Sequence, residues 1–427
     1  MAEERLRAIS EVINFHLEKE PEPGFFTGLA GEALFLYHFG RTFGSDRHEN
    51  QGFLALRRCL QILELGFTWP SYAAGIAGIR YTLHYLADSH FITPAEGAAL
   101  DDAEPYLLRF AEERLQSGDY DLLHGALGII MNHSSTISPF HSSTLPLLHS
   151  LISLSQPTAA NHLSWSTTNP KTGTPEINLG LAHGIPSILL ILSKYLFREP
   201  QANSSRPKGA VREPQANLSR PEGAIREPQA NSSRPEGAIR PSEARTLLES
   251  GMAFLLSCQL EPGANGSLFP HRIVDGKPDQ PGRLAWCYGD PGVGAAVWQI
   301  GANCGRDDWK AEGVRILRRA AARQHAKENR ISDACLCHGS AGLALIFYKM
   351  ALLTGHEEFL DASDHWMRAT LDYGHEEHYA GGYRYLTTGE RYISNYSLLE
   401  GLAGTGMAIL TLMEPDQNLG WEQALLL

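Results

Sequence analysis

Two similar turns carry the residues of this 427-residue chain whose types and spacing best suit chemistry. Residues 286–292 read Trp-Cys-Tyr-Gly-Asp-Pro-Gly and residues 336–342 read Leu-Cys-His-Gly-Ser-Ala-Gly, so Cys287, Cys337 and His338 stand beside equivalent glycines. Thiolate and imidazole ligands favour Zn²⁺, and three protein ligands leave one coordination position open to water or substrate. The pattern therefore predicts one zinc ion per chain, bound by these three side chains.

The chemistry of this site depends on whether a fourth protein ligand closes it. Cys335 is the nearest candidate, and with it bound the zinc would be structural. Because Cys335 stands so close to Cys337, we expect its side chain to point elsewhere. An open zinc with two thiolates lowers the pKa of a bound thiol while leaving the sulfur electron-rich, which favours thiol alkylation over hydrolysis.

Residues 375–378 (His-Glu-Glu-His) are a second metal candidate, but their loop context favours a solvated cluster.

The same glycine turn recurs along the whole chain, which indicates an internal repeat. Each Gly-x-x-Gly or close variant is followed by an apolar, helix-length stretch and preceded by a more polar, amphipathic one. The first glycines of the seven turns are Gly28, Gly75, Gly125, Gly184, Gly289, Gly339 and Gly401, spaced 47, 50, 59, 105, 50 and 62 residues apart. Seven inner helices are all buried only if their pairs close into a ring. We therefore predict an all-α fold, an α/α toroid of seven helix pairs forming one domain over residues 1–427.

A ring of equivalent turns places the residues before each first glycine on one rim. His124, His183, Tyr288 and His338 stand one residue before the glycine in their respective turns. Three stretches break the helical pattern, at residues 164–177, 265–284 and 375–395, and are rich in Gly, Pro, Thr or Tyr. They predict hairpin-like loops over one rim, where a substrate would enter.

A tandem repeat explains the one long spacing between turns. Residues 198–211 (Arg-Glu-Pro-Gln-Ala-Asn-Ser-Ser-Arg-Pro-Lys-Gly-Ala-Val) recur almost unchanged from position 212 and again from position 226. A Pro-rich, charged segment without aromatic residues cannot support a core, so we predict a disordered surface loop over residues 198–242. Removing the 42 repeated residues shortens the gap from 105 to 63 residues, in line with the other spacings.

Composition limits the classes of partner and compartment. The formal net charge of −12 disfavours nucleic acid, whose phosphates need clustered Lys and Arg, and suits a neutral or basic peptide better. The charged N-terminus does not resemble a signal peptide, and no apolar run approaches the length of a transmembrane segment. Six cysteines in a chain of this size do not form a disulfide framework. We predict a cytoplasmic protein.

Residues 286–289 (Trp-Cys-Tyr-Gly), 337–339 (Cys-His-Gly), 181–184 (Leu-Ala-His-Gly) and the seven turns resemble the lanthionine synthetase C-like family. The resemblance covers essentially the whole chain apart from the tandem insert. It implies a zinc-dependent lanthipeptide cyclase, which adds peptide Cys thiols to dehydroalanine or dehydrobutyrine and so closes lanthionine or methyllanthionine rings. The implied substrate is a dehydrated precursor peptide with a leader and a Cys-containing core. A lanthipeptide dehydratase and an exporter are the implied protein partners.

The resemblance also implies active-site positions at Asp121, His183, Arg283 and Tyr288. Michael addition needs a base for the thiol proton, stabilisation of an enolate and an acid for the α carbon. His183 would be the acid or base, Asp121 would orient it or a water, and Arg283 and Tyr288 would face the enolate oxygen. Asp121 matches the family spacing better than Asp119. The alternatives are a helix cap for Asp121, an ion-pair partner for Arg283 and simple packing for Tyr288.

Two other functions are compatible with this sequence. One is a lanthionine synthetase-like protein that uses glutathione as the thiol, against which the tyrosine at position 288 argues, because a histidine is common there. The other is a non-catalytic, zinc-stabilised peptide-binding protein, against which Asp121, His183 and Arg283 argue. A toroidal glycosidase would need two carboxylates facing the cavity, and Asp121 is the only strong candidate at a rim position.

Overall fold

A computed structural model describes residues 1–17, 22–136, 144–169, 172–197, 239–261, 266–387, 389–414 and 419–427. The α-helices are α1 (Ala2–His16), α2 (Leu29–Phe43), α3 (Asp46–Glu64), α4 (Ile76–Asp88), α5 (Pro94–Gly97), α6 (Glu104–Gln116), α7 (Ala126–Thr136), α8 (Leu145–Ser153), α9 (Ile185–Phe197), α10 (Pro241–Ser257), α11 (Asp290–Cys304), α12 (Asp307–Ala321), α13 (Ser340–Thr354), α14 (Glu357–Asp372) and α15 (Leu402–Met413). The strands are β1 (Gln156–Pro157), β2 (Leu163–Ser164), β3 (Thr167–Thr168), β4 (Pro175–Asn178), β5 (Arg272–Val274), β6 (Lys277–Pro278), β7 (Tyr385–Leu386) and β8 (Tyr392–Ile393). Among the described residues, no helix is both long and apolar enough to span a membrane.

The helices that follow the glycine turns form an inner ring, and the more polar helices pack outside it. The inner helices are α2, α4, α7, α9, α11, α13 and α15. Each contacts the next in chain order, and α15 contacts α2. Outer helix α3 packs on α2, α12 on α11 and α14 on α13. This order of contacts confirms the predicted all-α toroid, with seven inner helices and, in these three pairs, an outer helix packed on each.

Main-chain hydrogen bonds join neighbouring turns at one equivalent position, two residues before the first glycine. At six of the seven steps around the ring, the N–H of that residue donates to the carbonyl of its counterpart in the next turn; among the described contacts, the step from the third turn to the fourth has no such bond. The pairs are Phe26 to Ala73 (2.8 Å), Ala73 to Leu123 (2.8 Å), Ala182 to Cys287 (3.4 Å), Cys287 to Cys337 (3.3 Å), Cys337 to Leu399 (3.0 Å) and Leu399 to Phe26 (3.0 Å). The last bond returns to the first turn. The bond from Cys287 to Cys337 places these two cysteines side by side.

In the first and third turns the second glycine has no room for a side chain, because the preceding turn packs directly against it; the fourth turn has Ser187 at this position. A Cβ on Gly128 would lie 2.4 Å from Cβ of Tyr72, and a Cβ on Gly31 would lie 2.6 Å from Cβ of Leu398. Both distances are far below carbon–carbon contact, so these positions accept no side chain without a backbone shift. The Gly31 contact joins the first turn to the seventh.

A side-chain cap shapes four of the seven turns, at the residue six before the first glycine. The caps Asp119, Asn178, Asp333 and Asn395 each accept, through Oδ1, the N–H two residues further on, at 3.2, 3.0, 3.0 and 3.0 Å. Such local hydrogen bonds favour turns over helix. In the fifth turn this position is Arg283, a side chain with donors only.

The stretches predicted to be extended contain short antiparallel strands. The first contributes β3 and most of β4, the second β5 and β6, and the third the β7–β8 pair. The pairing of β4 with β5, which joins the first two stretches into the sheet β3-β4-β5-β6, was not predicted. Residues 198–238 of the predicted tandem-repeat loop lie outside the described residues, and α10 already begins at Pro241.

The last described segment, residues 419–427, lies inside the ring. Tyr72 donates through its hydroxyl to the carbonyl of Ala424 (3.4 Å), and Trp286 donates through Nε1 to that of Leu425 (2.8 Å). These donors come from the second and fifth turns, which are not neighbours, so the segment bridges the interior. Trp286 directly precedes Cys287, which ties this segment to the fifth turn.

Candidate metal centre and its surroundings

Cys287, Cys337 and His338 form one group of metal-ligating atoms. The two Sγ atoms and a ring nitrogen of His338 all lie within 4.8 Å of one another. Tetrahedral Zn²⁺ with bonds of about 2.3 Å to sulfur and about 2.0 Å to nitrogen would place its ligand atoms about 3.5–3.8 Å apart, so the donors fit this ion after small side-chain adjustments. A hydrogen bond with the Cys337 thiol holds the pKa of Cys287 well below its usual range. Metal binding uses this deprotonated form.

Cys335 lies beside His338 but outside the group formed with Cys287 and Cys337. It belongs to a second group of ligating atoms, with Asp333 and His338. Both carboxylate oxygens of Asp333 are already used, because they accept the N–H groups of Cys335 and Leu386 at 3.0 Å each. The Asp333 carboxylate therefore acts as a turn cap. Burial raises the pKa of Cys335 to about 11, which keeps its thiol neutral near pH 7.

Residues 375–378 do not form a metal-ligating group among the described residues. The ring of His375 contacts the guanidinium of Arg5, with 2.5 Å between Nδ1 and Nη2. This contact with a cation agrees with the prediction that residues 375–378 are a solvated cluster and not a metal site.

Asp121 and His183 form a hydrogen-bonded pair on the rim. Oδ2 of Asp121 lies 2.5 Å from Nδ1 of His183, while Oδ1 accepts the N–H groups of Leu123 and His124 at 2.8 Å each. Asp121 is thus both a turn cap and the partner of His183. Burial alone lowers the pKa of His183, but the hydrogen bond and charge of Asp121 outweigh it and raise that pKa. The same partner lowers the pKa of Asp121 against its own burial.

The two aspartates of the third turn have different roles. Asp119 occupies the capping position shared with three other turns and also contacts Arg114, at 3.4 Å. Asp121 is two residues further on and is the one that reaches His183. His124 is exposed and contributes its backbone N–H to Asp121.

Tyr288 connects the His183 pair to the cysteine turn. Its ring stacks on that of His183, with centroids 5.2 Å apart, and it directly follows Cys287 in the chain. Nδ2 of Asn178 donates to the Tyr288 hydroxyl at 2.8 Å. Burial raises the pKa of Tyr288 to about 12, so the phenol is a neutral donor near pH 7.

Arg283 stands at the start of the cysteine turn. Its Nη2 donates to the carbonyl of Arg330 at 2.8 Å, and its positive charge contributes to the lowered pKa of Cys287, after the larger effects of Cys337 and His338. Nε of Arg283 is buried and has no hydrogen-bond partner among the described residues. A buried guanidinium N–H without a partner is uncommon in folded proteins, and a functional role is one explanation for it.

The structure adds two residues to this site that the sequence did not reveal. His271 packs on Tyr288, with ring centroids 5.1 Å apart, and accepts the backbone N–H of Arg283 at 3.2 Å through Nε2. Asn178 holds the Tyr288 hydroxyl. His271 precedes β5 in a stretch without repeat register, so no sequence signal marked it. Asn178 occupies the shared capping register, which an alignment of the turns reveals.

Comparison with known proteins agrees with this fold. Nisin cyclase is a similar solved structure, with a TM-score of 0.72 and 19% sequence identity over 98% of this chain and 96% of that chain. The model of the family described as lanthionine synthetase C-like protein matches residues 22–202 and 232–426, and the gap between the two segments falls within the tandem repeat. Because this match spans most of the sequence, the chain belongs to the lanthionine synthetase C-like family.

Proposed function

We propose that this protein is a zinc-dependent lanthipeptide cyclase, which adds peptide Cys thiols to dehydroalanine or dehydrobutyrine to form lanthionine or methyllanthionine rings. The main observation in support is that the fifth turn carries both Cys287 and Tyr288. Cys287 belongs to the ligating group, and Tyr288 stacks on the imidazole that Asp121 holds. The proposed thiol-binding group and the proposed acid–base pair therefore share one rim.

Cys287, Cys337 and His338 would hold Zn²⁺, which when bound lowers the pKa of a substrate thiol and keeps its sulfur reactive. In the addition, a bond forms between sulfur and the β carbon while the carbon–carbon π bond breaks. The thiol proton leaves the sulfur, and a proton is added to the α carbon. The reaction is therefore an isomerisation and needs no oxidant or further reactant.

His183 is the residue proposed to move these protons. Asp121 holds Nδ1, which leaves Nε2 as the nitrogen that can exchange a proton with the peptide. The pKa of His183, raised by Asp121, lets the imidazolium form and serve as the acid for the α carbon. The opposite direction of transfer, from thiol to neutral imidazole, uses the same atom.

Arg283 and Tyr288 are the residues proposed to stabilise the enolate oxygen. The partnerless Nε–H of Arg283 and the neutral phenol of Tyr288 are both donors, and both residues belong to the turn of Cys287. Donors fixed before the reaction stabilise developing negative charge better than solvent does. Each residue can be tested by removing its donor.

The proposed substrate is a dehydrated precursor peptide, and the proposed partners are the dehydratase that prepares it and an exporter, in the cytoplasm. Family membership and the net charge of −12, which suits a neutral or basic peptide, support this. A dehydrated peptide with a free cysteine carries both the thiol and the activated double bond, whereas glutathione carries only the thiol.

The test is to count free thiols in a synthetic peptide that contains one dehydroalanine and one cysteine. Cyclisation leaves the mass unchanged, so each sample is alkylated before mass spectrometry. We expect the zinc-loaded enzyme to abolish alkylation far faster than the uncatalysed reaction, and the Cys337→Ala variant to fail. Zinc-loaded protein that binds the peptide but leaves the uncatalysed rate unchanged would instead support a non-catalytic peptide-binding protein. Activity with free glutathione but not with the peptide thiol would support the glutathione-using alternative.

A further inference from the structure

His271 is held where three parts of the rim meet. Its backbone N–H donates to the carbonyl of Gln280 at 3.1 Å, and its own carbonyl accepts the N–H of Leu179 at 3.0 Å. Gln280 follows β6, and Leu179 follows β4 and leads into the fourth turn. The main chain of His271 is therefore fixed from both sides, and its ring has a defined direction.

The ring of His271 makes two contacts with the fifth turn. Nε2 accepts the backbone N–H of Arg283 at 3.2 Å, and the ring packs against Tyr288 with centroids 5.1 Å apart. Tyr288 also stacks on His183 at 5.2 Å. Burial lowers the pKa of His271, which keeps the ring neutral and its Nε2 able to accept.

The capping position of the fifth turn holds Arg283, so this turn has no side-chain cap of the kind found in four other turns. In the third, fourth, sixth and seventh turns this position is Asp or Asn, whose Oδ1 closes the turn. An arginine cannot accept a hydrogen bond. His271 does not replace this cap, because it accepts the N–H of Arg283 itself and not that of Ala285. It fixes the start of the turn from outside, at the residue where the other turns have their cap.

We propose that His271 is a positioning residue for Arg283 and Tyr288. It fixes the main chain of Arg283 through Nε2 and one face of Tyr288 through its ring, and so holds the two proposed enolate donors in register with the cysteine turn. Its effect on catalysis rests on the proposed cyclase function. Its effect on the structure of the fifth turn does not.

Three substitutions separate the two contacts. His271→Gln retains an acceptor near the place of Nε2 but loses the ring, His271→Phe retains a ring but loses the acceptor, and His271→Leu loses both. His365→Leu, on outer helix α14, is the matched control: it also removes a ring that hydrogen-bonds a carbonyl, that of Gln324, and lies edge-on to an aromatic ring, that of Trp366.

The first readout is amide hydrogen exchange at Arg283, resolved by mass spectrometry with residue-level fragmentation. A hydrogen bond of ordinary strength predicts about fivefold faster exchange at this amide in His271→Leu and His271→Phe, with exchange close to the wild-type rate in His271→Gln and His365→Leu. This measurement needs no substrate. Unchanged exchange in His271→Leu would overturn the proposal even if the enzyme is a cyclase.

The second readout is the rate of cyclisation of the dehydroalanine and cysteine peptide. We expect kcat to fall about tenfold in His271→Leu and less in the other two variants, with KM and zinc content unchanged. The pH profile should keep both limbs in His271→Gln. Loss of a limb would show that His271 exchanges a proton with substrate, which contradicts a positioning role. If wild-type protein does not cyclise the peptide, the proposed function fails while the exchange experiment still decides the role of His271.

Discussion

The backbone N–H of Cys287 donates to the carbonyl of Cys337 at 3.3 Å. The two thiols proposed to hold zinc therefore come from turns that are bonded directly to each other by the main chain. The ring that joins equivalent positions of neighbouring turns brings together residues fifty positions apart in sequence. The distance between the sulfurs thus depends on the toroid itself.

Removing one thiol of the ligating group should abolish stoichiometric zinc binding. We expect Cys287→Ala and Cys337→Ala to lose the metal, because either change leaves only two of the three donors. Cys335→Ser should retain it, since Cys335 lies outside that group, and Cys304→Ala on α11 is a control for loss of a buried thiol. Elemental analysis of the purified proteins measures the outcome. Full zinc content in both ligand variants would exclude this site.

His183 should carry most of the acid–base contribution to catalysis. General acid–base groups contribute typically 10²–10⁴-fold, so His183→Asn should lower kcat by about that factor with zinc retained. In Asp121→Asn the pKa of His183 should fall, because burial then acts without the opposing carboxylate. The pH limb assigned to His183 should accordingly move to lower pH. If kcat depends on pH in the same way in Asp121→Asn and in wild type, that limb does not arise from the Asp121–His183 pair.

The same pair should make stability depend on pH. The folded pKa of His183 is raised, so its contribution to stability is fully present below the unfolded pKa of about 6.5 and is lost as pH rises through the folded pKa. Asp121, whose pKa is lowered, contributes above about pH 4 and loses that contribution as pH falls through its folded pKa. Asp121→Asn, which keeps an Oδ1 acceptor for the turn, should therefore lower Tm more at about pH 5.5 than at about pH 9. An equal change in Tm at both values would contradict the linkage.

Gly128 should be intolerant of any side chain. A Cβ there would lie 2.3 Å from the carbonyl oxygen of Leu122 and 2.4 Å from Cβ of Tyr72. Overpacking of this kind costs about 1–3 kcal/mol, and more where backbone must move, so Gly128→Ala should lower the midpoint of urea unfolding. Gly389→Ala is the control, because its Cβ would meet nothing closer than 3.8 Å. Similar midpoints for the two variants would show that the packing around Gly128 adjusts to a methyl group at little cost, which contradicts the prediction.

The sequence predicted the toroid because the glycines at the contacts between neighbouring turns recur at regular intervals. It also predicted that Cys287, Cys337 and His338 would meet, since all three lie one or two residues before equivalent glycines of neighbouring turns. The roles of Asp121, His183, Arg283 and Tyr288 remain predictions, although the structure brings Asp121, His183 and Tyr288 into a chain of contacts.

What escaped prediction lies outside the repeat. The pairing of β4 with β5, the placement of His271 and the position of residues 419–427 inside the ring depend on loops whose length and register do not recur. The shared Asp or Asn caps are different. They follow the period, as Asp333 and Asn395 show, so an alignment of the turns would also have identified Asp119 as a cap.

The main-chain bonds between equivalent positions of neighbouring turns also allow one pair of turns to copy the donor groups of another pair. Ala73, Leu123 and His124 occupy the same register in the second and third turns as the three proposed ligands do in the fifth and sixth, and Ala73 donates to Leu123 at 2.8 Å. The histidine is already present, so Ala73→Cys combined with Leu123→Cys would copy the whole donor set. In this view the position of a turn in the ring determines which groups can meet, and a few side chains determine the chemistry at each place.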